Sequence, residues 1–124
     1  CDVLAFPSIR EFGGGVVLEA MASGCVPLVV DYAGPGELVT PATGVALPLG
    51  ERADIVASLG AALARCARAP ESLAPLAAAG RAVVARHFTW AAKARQVAQT
   101  YDWALKRRRD RPDFSAVTAP PAGP

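Results

Sequence analysis

Three short apolar runs in the first 50 residues limit the possible fold more than any other feature of this chain. They are Val3-Leu4-Ala5-Phe6, ended by Pro7-Ser8; Val26-Pro27-Leu28-Val29-Val30, ended by Asp31; and the weaker Gly44-Val45-Ala46-Leu47, ended by Pro48. None alternates apolar with polar residues, so none suits a strand with one wet face. Runs that are apolar throughout fit strands covered on both faces of a parallel sheet. Parallel neighbours need a crossover, usually a helix. Gly15 to Ala22, apolar except for Glu19, lies between the first two runs, and Gly24 stands where a helix C′ glycine belongs. The front therefore reads β-α-β, then a Gly/Pro-rich turn, then a third strand: an α/β arrangement.

The back reads as helices. Ile55, Val56, Leu59, Leu63 and Cys66 recur at helical spacing, with Arg52, Arg65 and Arg68 largely off that face. Pro70 ends this helix. A second runs from about Ser72 to Arg86, with Pro75 tolerable only in its first turn. Thr89 is a good N-cap for a third, with an apolar stripe of Trp90, Ala94, Val97, Tyr101 and Leu105. On this pattern Trp90 and Tyr101 are core residues and Trp103, off the stripe, is half exposed. Lys106 to Arg109 form a basic helix end, and residues 110–124 read as a disordered Pro-rich tail.

Composition removes several function classes. Hydrophobic residues make up 52% of the 124 and charged residues 19%, too apolar for a disordered chain. No apolar run approaches the length that spans a bilayer, and no export signal is visible. A net charge of +2 does not by itself imply a nucleic-acid partner. Cys1, Cys25 and Cys66 are too widely spaced for a zinc site or a disulfide framework, and read as reduced cytosolic thiols. Eight of the eleven glycines fall in residues 1–50, which carry five acids and one base. Chemistry dominated by the backbone is therefore concentrated at the front.

The informative stretch runs from Pro7 to Gly24: a strand end, the triplet Gly13-Gly14-Gly15 and a helix start. Glycines let a ligand approach the backbone closely. The helix that follows points free N–H groups and a positive dipole end toward that ligand, which makes an anion site of the kind phosphates occupy. Glu11 precedes the glycines. Glu19 lies about 6 Å into the helix at 1.5 Å per residue, and helical side chains lean back toward the N-terminus. As the one charge on an apolar helix, Glu19 is expected to be buried enough to need a partner, and a pair of ribose hydroxyls would satisfy both oxygens. The plain alternatives are a loop without ligand and a Glu that only complements the helix dipole. A dinucleotide fingerprint is not complete here, since its third glycine is missing.

Glu11 and Glu19 are separated by seven residues, the E-x7-E spacing of retaining glycosyltransferases of the GT-B architecture. Pro7-Ser8, Phe12-Gly13, Leu18-Glu19-Ala20-Met21-Ala22, Gly24, Val29, Gly34, Glu37-Leu38-Val39 and Phe88-Thr89-Trp90 also match. Over roughly residues 2–105 the chain resembles the C-terminal domain of glycosyltransferase family 4, the glycosyl transferases group 1. The resemblance implies the second half of a doubly wound, Rossmann-like sheet followed by C-terminal helices, over residues 1–109. It implies a nucleotide diphosphate sugar as donor and an unknown acceptor, glycan or lipid-linked. Glu11 would be the catalytic group at the sugar and Glu19 would hold the ribose. Phe12, Gly13, Gly14 and Gly15 would face sugar and phosphates, with the amides of Val17 and Leu18 near the pyrophosphate. No metal or other cofactor is implied. The family usually shows E-G-F-G or E-P-F-G, and here the third glycine stands where a larger apolar residue is common.

The resemblance covers three strands of a six-stranded plan. The chain is expected to be a fragment whose N-terminal acceptor domain lies elsewhere in the same protein. It is expected to be inactive alone, with an open apolar edge on its first strand. The competing readings are a nucleotide-sugar epimerase or phosphorylase relative and a non-catalytic nucleotide-binding module. The expected location is cytoplasmic, with peripheral contact to the inner membrane face through Lys106–Arg109 as a minor reading. His87, Ser8, Ser23, Asp31 and Glu37 read mainly as capping, packing or turn residues.

Overall fold

The computed structural model describes residues 1–114. In chain order it contains strand β1 (Val3–Phe6), helix α1 (Gly15–Ser23), strand β2 (Val26–Val30), helix α2 (Ala33–Leu38) and strand β3 (Val45–Leu47). Helix α3 (Arg52–Arg68), a 3-10 turn (Pro70–Ser72), helix α4 (Leu73–His87) and helix α5 (Trp90–Ala104) follow. The strands pair in parallel in the order β1-β2-β3, with Val3 opposite Val26 and Leu28 opposite Val45. The three strands and α1 therefore stand where the sequence places them.

Burial on both faces holds for β2 alone, all five of whose residues are buried. β1 and β3 are the edges, and Ala5 and Ala46 are exposed on them. Pro27 sits in the central strand, where a missing donor is normally costly. Val26 donates to the Asp2 carbonyl on the β1 side, so the next residue in a strand faces β3. Pairing with β3 begins only at Leu28, and Pro27 therefore interrupts no ladder bond. Gly44 lies against Pro27 at that point, and a Cβ there would come within 2.5 Å of the Pro27 carbonyl oxygen.

Helices cover both faces of the sheet. On one, Val17 and Met21 of α1 pack with Val29, Val39 and Val83, flanked by Leu4, Phe6 and Phe88. On the other, Ala62 of α3 packs with Leu28 and Leu47, flanked by Val3, Leu59 and Cys66. The chain is thus three-layered α/β, as a doubly wound sheet requires.

Three expectations need correction. The Gly/Pro-rich turn after β2 contains a short helix, Ala33-Gly34-Pro35-Gly36-Glu37-Leu38. Two glycines and a proline oppose helix formation locally, and tertiary contact overrides them, because Pro35 is fully buried. On α3 the inward residues are Ile55 and Ala62, with Leu59 and Cys66 half-buried, whereas Val56 and Leu63 face outward. The largest departure is on α5. Trp90 is 91% exposed, Tyr101 65% and Leu105 60%, so the apolar stripe is not core. What docks α5 is the opposite face, through buried Ala92 and half-buried Gln96. Periodicity locates an apolar face but does not say what covers it. Trp103 is half exposed, as expected.

Helix ends follow capping chemistry. The Thr89 side chain accepts a hydrogen bond of 3.2 Å from the Ala92 amide, as expected of an N-cap. The Lys106–Arg109 run lies beyond the end of α5 and is exposed. The expected tail begins in irregular chain at 110, and from residue 115 it lies outside the described residues.

Candidate functional site

In a parallel sheet, ligands gather outside the carboxyl ends of the strands. β1 ends at Phe6, and the loop over residues 7–14 runs from there to the N-terminus of α1. Its last part is organised around one carboxylate. Glu11 Oε1 accepts hydrogen bonds of 3.3 Å from the amides of both Gly13 and Gly14. Glu11 is half-buried at this point, so its position is set by the backbone that it binds.

Gly14 makes the turn into the helix. It adopts φ 63°, which favours glycine, and serves as the N-cap with no side-chain bond. A Cβ at Gly14 would also lie 3.1 Å from Leu38 Cδ1 and 3.2 Å from the Pro35 nitrogen. Above Gly13 and Gly15 there is open space, with nothing within 4 Å of a notional Cβ. The loop is therefore packed from beneath and bare on top.

The support beneath is α2. A Cβ on Gly34 would meet the Phe12 carbonyl oxygen at 2.4 Å and Gly13 carbon atoms at 3.0 and 3.1 Å. Any larger residue at 34 would displace the loop. Gly36 lies equally close to Asp31, 3.0 Å from its Oδ1. The sequence pointed to Gly34 only through the family resemblance. Its mechanical role could have been found from the Gly-Pro-Gly cluster, which is costly in a helix unless close approach requires it.

The donors at the helix start fall one step earlier than expected. The Val17 amide donates to the Gly14 carbonyl at 2.9 Å. Leu18, a turn into the helix, has its amide within the i→i−4 ladder. Gly15 and Val16 are the positions whose amides have no carbonyl of a preceding turn to bond. No acidic residue stands in the first turn of α1, so the positive end of its dipole is not neutralised locally.

Glu19 is exposed, which corrects the expectation of a buried carboxylate. Val17 and Met21 fix the inward face of α1, and Glu19 lies about 200° around the helix from Val17 at 100° per residue. Phe12 is 98% exposed, its ring turned out of the loop. The loop thus assembles Glu11, Phe12 and the three glycines on one rim, with Glu19 one turn along the adjoining helix.

Other polar residues lie elsewhere. His87 ends α4, and its pKa is lowered, first by burial and then by the neighbouring Arg86 and Lys93 charges. Glu37 is exposed on α2. Among the described residues no grouping of three His, Cys, Asp or Glu could hold a metal ion, and no helix is long and apolar enough to cross a membrane. The largest hollow, about 710 Å³, lies at the opposite end of the sheet, between the start of β1, the end of α3 and the start of α4. The glycine loop is a rim rather than a walled pocket, consistent with a site closed by something facing it.

No curated protein and no solved structure matches the chain. A family model described as glycosyl transferases group 1 matches residues 1–73, from the approach to β1 through α3 and the 3-10 turn to the first residue of α4. That is more than half of the chain and includes the whole glycine loop, its α2 support and both carboxylates, and the chain therefore belongs to the glycosyl transferases group 1 family.

Proposed function

We propose that this chain is the donor-binding part of a retaining glycosyltransferase that uses a nucleotide diphosphate sugar. The observation that carries the reading is the bare upper side of the Gly13–Gly15 loop at the uncapped N-terminus of α1, held against α2. Family membership supports sugar transfer in general. The amides of Gly15 and Val16 and the dipole end face the diphosphate, above the first helical rungs at Val17 and Leu18. As the bond between the anomeric carbon and the diphosphate oxygen breaks, negative charge grows on the leaving group, where preorganised N–H donors stabilise it most.

Glu11 then faces the sugar, where its charge balances the positive character developing at the anomeric carbon. Its two bonds from the Gly13 and Gly14 amides hold it in place and keep it ionised. Glu19 reaches the ribose hydroxyls from the solvent side of α1. Phe12 and Gly13 border the sugar. In this reading a facing domain of the same protein supplies the acceptor site and closes the rim, and the chain alone does not turn over donor. No metal is needed for this arrangement. The nearly complete exposure of Phe12 beside the loop supports a rim closed from above.

Titration with UDP, GDP and ADP tests the donor site. One nucleotide should bind, and Glu19→Gln should weaken it by about tenfold or more, the value of hydrogen bonds to a charged group. Glu11→Gln should leave nucleotide affinity in place and lower kcat in the protein that carries the facing domain. Unchanged affinity in Glu19→Gln would remove the ribose role. A product of inverted anomeric configuration would remove the retaining assignment, and release of epimerised sugar nucleotide would favour an epimerase of the same architecture.

A further inference from the structure

Helix α5 is built inside out. Its large apolar residues, Trp90, Val97, Tyr101 and Leu105, form one stripe, and all are exposed, Trp90 by 91%. The face toward the domain is small or polar, through Ala92 and Gln96. Amphipathic helices of globular domains do the reverse, and an apolar face on the outside marks a contact with something else. The stripe is about 22 Å long at 1.5 Å per residue, and it is straight.

Charge identifies what that contact is. The basic run Lys106-Arg107-Arg108-Arg109 continues directly from the end of the stripe, and all four residues are exposed. Residues 90–114 carry seven bases against three acids, Asp102, Asp110 and Asp113. The run is held at the end of α5 by backbone bonds from the Arg107 and Arg108 amides to the Asp102 carbonyl, at 2.8 and 3.1 Å. Trp and Tyr favour the boundary between lipid headgroups and hydrocarbon. A flat aromatic stripe with a basic cluster at one end is the arrangement of a helix that lies in the plane of an anionic bilayer surface.

We propose that the outer face of α5, with Lys106–Arg109, is a docking surface for an anionic lipid bilayer. Trp90, Val97, Tyr101 and Leu105 enter the headgroup layer, and the basic run pairs with lipid phosphates and carboxylates. The contact is peripheral, and it is independent of the donor site, which lies at the other end of α1 from this helix's packing partner α4.

The test is cosedimentation of the protein with phosphatidylcholine vesicles, with and without phosphatidylserine. Binding is expected only with phosphatidylserine, and to weaken as salt is raised. Replacing Lys106, Arg107, Arg108 and Arg109 together by Gln should lower the partition by about tenfold or more. Trp90→Ser with Tyr101→Ser should abolish it without unfolding the domain, since both side chains are on the surface. In a Trp103→Phe background the emission of Trp90 should shift to the blue on anionic vesicles. Absence of binding, equal binding to neutral vesicles, or indifference to both sets of substitutions would overturn the proposal. So would a lipid-free protein that is already dimeric with Trp90 emission shifted to the blue, which would assign the face to a second copy.

Discussion

Helices α1 and α5 solve opposite problems. α1 begins on three glycines with no side-chain cap, a poor start by local rules. It is held by its inner face, where Val17 and Met21 are fully buried. α5 begins on a threonine that caps it and has a regular apolar stripe, yet that stripe packs on nothing in the described residues. Local signals thus specify α5, and tertiary packing specifies α1. A helix start left without local stabilisation is what a ligand-binding backbone requires, because its donors must stay available. A helix with good local signals and an idle apolar face is available for contact outside the domain.

The C-terminal ends show the same contrast. Gly24 takes φ 85° after α1, and Lys106 takes φ 59° after α5. Both ends use the same pair of bonds: Cys25 N to Ala20 O with Gly24 N to Met21 O, and Arg107 N to Asp102 O with Lys106 N to Trp103 O. This is the Schellman arrangement, whose left-handed residue is usually glycine. α1 has the favoured residue there. α5 has a lysine, consistent with selection for charge at that position over local stability.

The sharpest way to break the contrast is a pair of truncations. Met21→Ala should destabilise the fold by about 2–5 kcal/mol, as buried Met truncations do. Trp90→Ala should stay within about 0.5 kcal/mol, as surface changes do. Urea unfolding of both variants measures the difference, and a large loss in the Trp90 variant would mean that the stripe is covered in solution. Next in size is Gly34→Ala, expected to cost about 1–3 kcal/mol through overpacking against Phe12 and Gly13. It should also reduce nucleotide affinity by displacing the loop, which titration calorimetry would register. Lys106→Gly should stabilise by up to about 1 kcal/mol, the relief of a left-handed non-glycine residue, visible as a higher Tm. The same substitution should weaken lipid binding, so stability and function would separate at one position.

The smallest effect concerns pH. His87 has its pKa lowered from 6.5 in the folded protein, so its charged form is disfavoured there relative to the unfolded chain. The unfolded chain then binds more protons as pH falls through 6.5, and stability drops on that side, while above 6.5 both states are neutral and the effect vanishes. His87→Gln should flatten this slope in Tm against pH. Its cause is first the partial burial at the end of α4 and then Arg86 and Lys93.

The parallel strands, α1 and the loop between them were legible because continuous apolar runs and a glycine triplet have few other uses. The bounds of β1 and β2 coincide with the runs that announced them. α2 was not legible, because Gly34, Pro35 and Gly36 are required by contacts with Phe12, Gly13 and Asp31 that no local window contains. The exposure of Glu19 was missed for a related reason: an apolar helix was taken as buried all round, whereas only the Val17–Met21 side meets the sheet. The period of α5 gave a correct helix and a correct stripe, and the error lay in assuming that an apolar stripe must face its own domain.

The two ends of the sheet also differ in material. The carboxyl end is lined by backbone, and the amino end holds the 710 Å³ hollow bordered by the thiols of Cys1 and Cys66. Four strand residues at about 3.3 Å each put roughly 13 Å between them and the loop. A maleimide dye attached there would give the domain an optical reporter, or an anchor to a solid support, without touching the carbohydrate rim.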